Sequence, residues 1–291
     1  MKHCAIRHCE EQSDEAIPNI QRLLRSLWSL AMTVALLLPG ISFARAPAPA
    51  VQATAVVVMD RNSKKILHAV NADAQWPAAS LTKLATAAVT LKHARLSSLV
   101  RLRSVDEVGG ARLRVADGAL LSVRDALAAT LIGSANNTAN TLVRATGRSR
   151  AQFIKEMNAY AKSVGARQTK FVEPSGIEPG NVTTAKDMAL LARAAFSDPT
   201  VRSLSQSAQY SIRVRNTGER HRIKNTNKLI TNSPLIVLGG KTGLLEESDH
   251  NFVVEVRNKQ WQRLIIVIFG APSFQSAFSS AEKLAAWAWQ T

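Results

Sequence analysis

The sequence predicts an α+β protein: one antiparallel sheet of about five strands formed by both chain ends, flanked by helices, with a mostly helical lobe inserted. Three observations lead there. Residues 54–60 (T-A-V-V-V-M-D) are β-branched and almost continuously apolar, as a buried strand requires, and residues 65–70 follow across an Arg61-Asn62-Ser63 turn as its hairpin partner. Three more strand-like segments, 235–242, 251–257 and 262–269, cluster towards the other end, the last two paired across Asn258-Lys259-Gln260. Between the two groups the pattern turns helical.

The helices have local reasons. Ser80 stands at the mouth of an apolar helix running to about Lys92. Ser122 is the N-cap of a helix through Ala129, which Leu131-Ile132-Gly133 ends. Ser134-Ala135-Asn136 follows that break and opens a second run to about Ala145. Residues 150–164 carry Phe153, Met157, Tyr160 and Val164 at helical spacing, a core face. Thr183 or Thr184 caps a helix to Phe196, with Asp187 as capping-box partner. Residues 97–120 read as loop-rich, and 209–215 with 220–224 as a hairpin around Asn216-Thr217-Gly218-Glu219. Residues 274–290 form a closing helix with Phe278, Leu284 and Trp287 towards the sheet.

Ahead of the first strand the chain reads as an export signal. Arg22 and Arg25 precede an apolar run at 27–38, then Pro39-Gly40, then small residues at Ser42, Ala44 and Ala46. The run is too short for a comfortable membrane span, so cleavage is expected after Ala44 or Ala46. The boundaries that follow are an N-terminal extension and signal peptide at 1–46, a Pro/Ala linker at 47–53, and one domain at 54–291. The expected location is the periplasm, with no stable membrane anchor after cleavage.

Of 291 residues, 46% are hydrophobic, which suits a packed core rather than disorder. The formal net charge of +16 favours an anionic partner such as a cell-wall polymer. No aromatic-basic interleaving or RNA-binding signature accompanies it, which argues against nucleic acid. The two cysteines, Cys4 and Cys9, both precede the apolar run, so the remainder of the chain has neither a disulfide framework nor a thiolate metal site.

Within Pro77-Ala78-Ala79-Ser80-Leu81-Thr82-Lys83-Leu84, residues 80 and 83 share a helical face. A lysine of lowered pKa can activate a serine there, and the helix start offers unpaired N–H groups to an oxyanion. Ser280-Ala281-Glu282-Lys283 has the same spacing, so the pattern alone decides nothing. Two further motifs decide it. Ser134-Ala135-Asn136 and Lys241-Thr242-Gly243 both lie after Ser80 and before Ser280, at steps of 54 and then 107 residues. Serine-x-x-lysine, serine-x-asparagine and lysine-threonine-glycine, in that order, are the set of penicillin-binding proteins and serine β-lactamases. Each taken singly is an ordinary cap, helix start or strand end. Their ordered joint occurrence is not.

The chain resembles the low-molecular-mass penicillin-binding proteins of the D-alanyl-D-alanine carboxypeptidase and endopeptidase family, over roughly residues 50–290. Phe171-Val172-Glu173-Pro174-Ser175-Gly176-Ile177, Thr184-Ala185-Lys186-Asp187-Met188-Ala189, Asn225-Thr226-Asn227-Lys228-Leu229 and Gly239-Gly240-Lys241-Thr242-Gly243 share that likeness. The resemblance implies a DD-peptidase/β-lactamase-like fold and a division of roles. Ser80 would be the nucleophile, Lys83 its base, and Ser134 a proton relay beside Lys241. Asn136 would bind the substrate amide, and Lys241 and Thr242 the terminal carboxylate. Gly243 would admit the substrate backbone, and the N–H groups of Ser80 and Leu244 would form the oxyanion hole. It implies peptidoglycan stem peptides as substrate, β-lactam antibiotics as covalent inhibitors, and neither cofactor nor metal. Leu244-Leu245-Glu246-Glu247-Ser248-Asp249-His250 departs from the acidic-Ala-Gly segment of many relatives, and no room is left for their added β-rich domain and anchor. The resulting expectation is an endopeptidase, with a carboxypeptidase as the alternative. A serine β-lactamase, which would need a deacylating glutamate such as Glu173 or Glu178, and a catalytically idle peptidoglycan-binding module stand behind these.

Overall fold

The computed structural model describes residues 46–290. The expected N-terminal extension and export signal, residues 1–46, lie outside the described residues apart from Ala46. From Ala48 onward the chain forms one compact unit.

Strands β1 (Ala55–Asp60) and β2 (Ile66–Val70) form the expected hairpin. Its turn closes on the Asp60 carboxylate, which accepts from the N–H groups of Asn62 and Ser63 and from the Ser63 hydroxyl at 2.6–3.1 Å. A short β3 (Trp76–Pro77) leads into a single 3-10 turn over Ala79–Thr82 and then α1 (Lys83–His93). There follow β4 (Leu99–Arg101), β5 (Leu120–Ser122), α2 (Val123–Leu131), α3 (Asn136–Ala145) and α4 (Arg150–Ser163). Next come β6 (Val182–Thr183), α5 (Ala185–Ala195), α6 (Pro199–Ser205), the hairpin β7 (Gln209–Arg213) and β8 (Arg220–Lys224), and α7 (Leu229–Asn232). Strands β9 (Ile236–Leu245), β10 (Asp249–Arg257) and β11 (Arg263–Ala271) then lead to the closing helix α8 (Phe274–Ala288).

The main sheet has the order β2-β1-β11-β10-β9, antiparallel throughout, with β1 returning beside β11. Both chain ends therefore build it, as the sequence predicts. Residues alternate between its faces. Ala55, Val57, Met59, Val253, Ile265, Val267 and Phe269 meet α5 and the helical lobe in one core. Val56, Val58, Phe252, Val254, Ile266 and Ile268 meet Phe278, Leu284 and Trp287 of α8 in the other. Burial on both faces explains why these strands are apolar without alternation. Ala48, Val51 and Ala53 also pack on the α8 side. On the helical-lobe side of the sheet, Glu255 of β10 is fully buried and paired with Arg61, Arg202 and Arg263.

The 97–120 segment is loop-rich as expected, apart from a short ladder in which Leu99, Val100 and Arg101 pair with Ser122, Leu121 and Leu120, and a 3-10 turn at 104–106. Three local expectations need correction. Strand β9 does not end at Thr242, because Gly243, Leu244 and Leu245 continue pairing with Asn251, His250 and Asp249. The Ser80 helix is irregular at its start, with the serine in the 3-10 turn and the lysine opening the α-helix. The capping box at Thr184 is half made. The Thr184 hydroxyl accepts from Asp187 N–H, but the Asp187 carboxylate serves Gln168 N–H and the Thr169 hydroxyl instead, tying α5 to the preceding loop.

Candidate active site

Ser80 is held from both sides. The preceding Ala79 adopts φ +48°, a conformation that costs an L-residue energy and must be imposed by its surroundings. On one side Gly243 of β9 comes so near that a Cβ there would lie 3.1 Å from Ala79 Cβ and 3.2 Å from Ser80 N. On the other, Gly176 (φ +81°) is pressed on Ala79, and a Cβ would overlap the Ala79 carbonyl. Ala78 N–H donates to the Asn181 carbonyl at 2.7 Å. The serine is thus fixed by a strand edge and a loop, and stays partly open to solvent.

Lys83 is fully buried one turn later. Its Nζ donates to Ser80 Oγ at 2.8 Å, to Asn136 Oδ1 at 2.7 Å and to the Ser175 carbonyl. Those contacts use all three donors of an ammonium. Burial pushes its pKa down from the ordinary lysine range to about 7, against the opposing pull of the Glu173 carboxylate. On losing a proton, the amine can keep its two amide-type acceptors and turn its lone pair to the Ser80 hydroxyl.

Helix α2 ends at Leu131, and Ser134 takes φ +59° in the break before α3, the kind of strained turn a purely local reading cannot foresee. Lys241 Nζ, also buried, donates to Ser134 Oγ at 2.7 Å and to the Thr242 carbonyl at 2.8 Å. Burial and the nearby Lys83 charge lower its pKa well below the lysine norm. Asn136 Nδ2 donates to the Gly109 carbonyl at 2.9 Å, and its second N–H has no hydrogen-bond acceptor among the described residues. Neighbouring Gly110 has φ +65°, and a Cβ there would sit 2.8 Å from Asn136 Nδ2.

Ser80, Ser134, Asn136, Thr242, Gly243 and Leu244 all line one cleft of about 330 Å³, with Gly110, Ile177, Thr226, Leu245 and Phe274 completing its walls. Every site residue expected from the sequence therefore either lines this cleft or, for the buried Lys83 and Lys241, is hydrogen-bonded to a residue that does. The competing Ser280 and Lys283 do not: on α8 the serine is buried and the lysine faces solvent.

Sequence reasoning missed three contributors and saw a fourth, Glu173, only as a candidate deacylating base. The Ser175 carbonyl orients Lys83, and backbone acceptors leave no mark on residue type. Gly176 lies in a stretch noted only for its family likeness, and its need shows only against Ala79. Thr226 accepts from the Thr242 hydroxyl at 2.6 Å, so a second hydroxyl borders the region expected for the carboxylate. Glu173 is buried and accepts from Ser175 N–H and Oγ, Gly176 N–H, Ile177 N–H and Asn181 Nδ2. Both its oxygens are engaged within the loop, and neither it nor the exposed Glu178 lines the cleft. Neither stands ready as the deacylating base of a β-lactamase.

A family model described as D-alanyl-D-alanine carboxypeptidase, peptidase family S11, matches residues 42–273. The chain belongs to this family. Among its relatives, the D-alanyl-D-alanine endopeptidase of Pseudomonas aeruginosa is 31% identical over 79% of this chain and 75% of its own length. That of Escherichia coli is 30% identical over 90% of this chain and 87% of its own length. The crystal structure of a D-alanyl-D-alanine carboxypeptidase from Mycobacterium tuberculosis superposes with a TM-score of 0.78 at 26% identity, covering 86% of this chain and 95% of that one. The family is that of the serine DD-peptidases, and the chain has its antiparallel five-stranded α+β fold.

Proposed function

We propose that this serine DD-peptidase is a D-alanyl-D-alanine endopeptidase that cuts cross-links between peptidoglycan stem peptides through an acyl-enzyme on Ser80. The observation that carries the proposal is Lys83 Nζ held beside Ser80 Oγ by Asn136 and the Ser175 carbonyl. Two endopeptidases among the relatives, matched over 75% and 87% of their length, support that choice over a carboxypeptidase.

The steps follow from the groups in the cleft. Ser80 Oγ bonds to the substrate carbonyl carbon and its proton passes to the neutral Lys83 amine. The carbonyl electrons move to oxygen, where the N–H groups of Ser80 and Leu244 receive the charge. One such donor is worth about 3 kcal/mol of barrier in comparable sites. As the C–N bond breaks, the leaving nitrogen takes a proton supplied through Ser134, with Lys241 behind it. Water then attacks the Ser80 ester, releasing the new carboxylic acid and restoring the hydroxyl. Asn136 holds the substrate amide, while Lys241 and Thr242 hold its carboxylate. A β-lactam carries an equivalent carboxylate beside its own amide carbonyl, so the same groups acylate on it and the adduct persists.

We infer that the protein works in the periplasm, on the strength of the basic, apolar and small-residue order of residues 22–46. Among the described residues no helix is long and apolar enough to cross a membrane. The activity is tested by incubating the exported protein with cross-linked muropeptide dimers and, separately, with monomeric pentapeptides. Dimers falling to monomers is the expected outcome. Loss of the terminal D-alanine from pentapeptides alone would assign a carboxypeptidase instead.

A further inference from the structure

A carboxylate buried to 3% exposure beside a catalytic centre needs a reason, because burial of a charge costs several kcal/mol unless it is well paired. Glu173 is satisfied almost wholly by its own loop. It accepts from Ser175 N–H and Oγ at 2.6 Å each, from Ile177 N–H at 3.0 Å, and from Gly176 N–H and Asn181 Nδ2. Five donors converging on one side chain fold residues 173–177 into a fixed turn.

That turn faces α1. Thr86 Oγ1 donates to the Pro174 carbonyl and Lys83 Nζ to the Ser175 carbonyl, so consecutive loop carbonyls meet two residues one turn apart on the same helix face. Gly176 then presses on the Ala79 carbonyl. Asn181 joins the two ends: it bonds Glu173, and its carbonyl takes the Ala78 N–H two residues before Ser80. Glu173 itself stays off the cleft surface.

We propose that Glu173 is a positioning residue that aims the Lys83 amine at Ser80 by fixing the Ser175 carbonyl. The inference rests on the assignment of Lys83 as the base. Two of the three Lys83 acceptors, Asn136 Oδ1 and the Ser175 carbonyl, define where its lone pair points once it is neutral, and only the second is held by a charge. That charge also acts through space. The charged groups bearing on Lys83 are Glu173 from the loop and Lys241 from β9, while its direct contacts on α3 and on the Ser80 turn are uncharged. Glu173 favours the protonated lysine and so opposes the effect of burial.

Two variants separate these effects, read as the rate of acylation by fluorescent penicillin against pH, with folding checked by thermal melting. Glu173→Gln removes the charge and puts an amide N–H group among the loop's donors. Its plateau rate should fall by about 10–100-fold, the usual effect of a misaimed group, and its acid limb should move to lower pH. Glu173→Asp keeps the charge on a shorter arm, so its plateau should fall while the acid limb stays. A limb that does not move in Glu173→Gln, with or without a slower plateau, overturns the proposal and leaves Glu173 a loop-folding residue only. If Glu173→Gln does not fold, Glu173→Asp decides: a wild-type plateau overturns the proposal, and a reduced plateau with unchanged penicillin affinity supports it. Lys83→Ala is run alongside. Wild-type acylation in Lys83→Ala removes the base assignment itself. An inert Lys83→Ala beside Glu173 variants of wild-type behaviour removes only the role given to Glu173.

Discussion

Lys241 Nζ donates to the Ser134 hydroxyl at 2.7 Å across 107 positions of sequence. That one bond ties the centre of the main sheet's edge strand to the break between two helices of the inserted lobe. Ser80 stands against the same strand, since Gly243, two residues after Lys241, closes on Ala79 and Ser80. The cleft is therefore made where sheet and lobe meet, and each of its walls depends on the other.

Two buried lysines within one site cannot both hold protons easily. Burial takes Lys83 to about 7, with Glu173 resisting the fall. In the proposed mechanism Lys83 works as the neutral amine. Acylation by penicillin should therefore be slow in acid, rise as pH passes through about 7, and level off above it. Lys83→Ala should reduce the rate by about 10²–10⁴-fold and abolish that limb. Stopped-flow acylation over a pH series checks both.

The end of the cleft proposed to hold the carboxylate is bordered by Thr242 and the unanticipated Thr226, with Lys241 buried behind it. Lys241→Ala should slow acylation by carboxylate-bearing ligands far more than by a matched ester that lacks the carboxylate. Thr226→Val keeps the shape and removes one hydroxyl from the pair. It should raise KM for carboxylate-bearing substrates several-fold, the effect of roughly 1 kcal/mol, with kcat little changed. An equal loss for acid and ester substrates would remove this group of residues from carboxylate recognition.

Gly176 has no room for a side chain and holds φ +81°. Gly176→Ala should cost about 1–3 kcal/mol of stability and also displace Ala79, with penicillin labelling falling further than the melting temperature alone explains. A labelling rate that stays at the wild-type value would show that the loop does not support Ser80.

Far from the cleft, Glu255 is fully buried among Arg61, Arg202 and Arg263. Glu255→Ala leaves those guanidinium groups facing one another without a counter-charge. A loss of about 3–5 kcal/mol in urea unfolding is expected, with the acylation rate of the folded fraction unchanged.

Much of this was legible in the sequence, and the reason is physical. Strands buried on two faces must be apolar throughout, so β1, β10 and β11 announce themselves. Caps are side-chain chemistry, so Ser122 and Thr184 mark helix starts correctly. Ser80, Lys83 and the two distant motifs depend on residue type, and all of them line the cleft or bond to a residue that does. What stayed hidden depends on backbone or on three-dimensional neighbours. The Ser175 carbonyl could belong to any residue, and the positive φ of Ala79 and Ser134 violates local preference. Asp187 has the right spacing for a capping box but spends its carboxylate on residues 168 and 169. The short β4 ladder is formed by only three residues.

In the proposed mechanism Ser80 carries the acyl group. After brief exposure to benzylpenicillin, the protein is digested and the peptide containing Ser80 is weighed and fragmented. The mass of one penicilloyl group on Ser80, absent from Ser80→Ala, is the predicted result. An adduct on any other residue, or one that survives in folded Ser80→Ala, would contradict it.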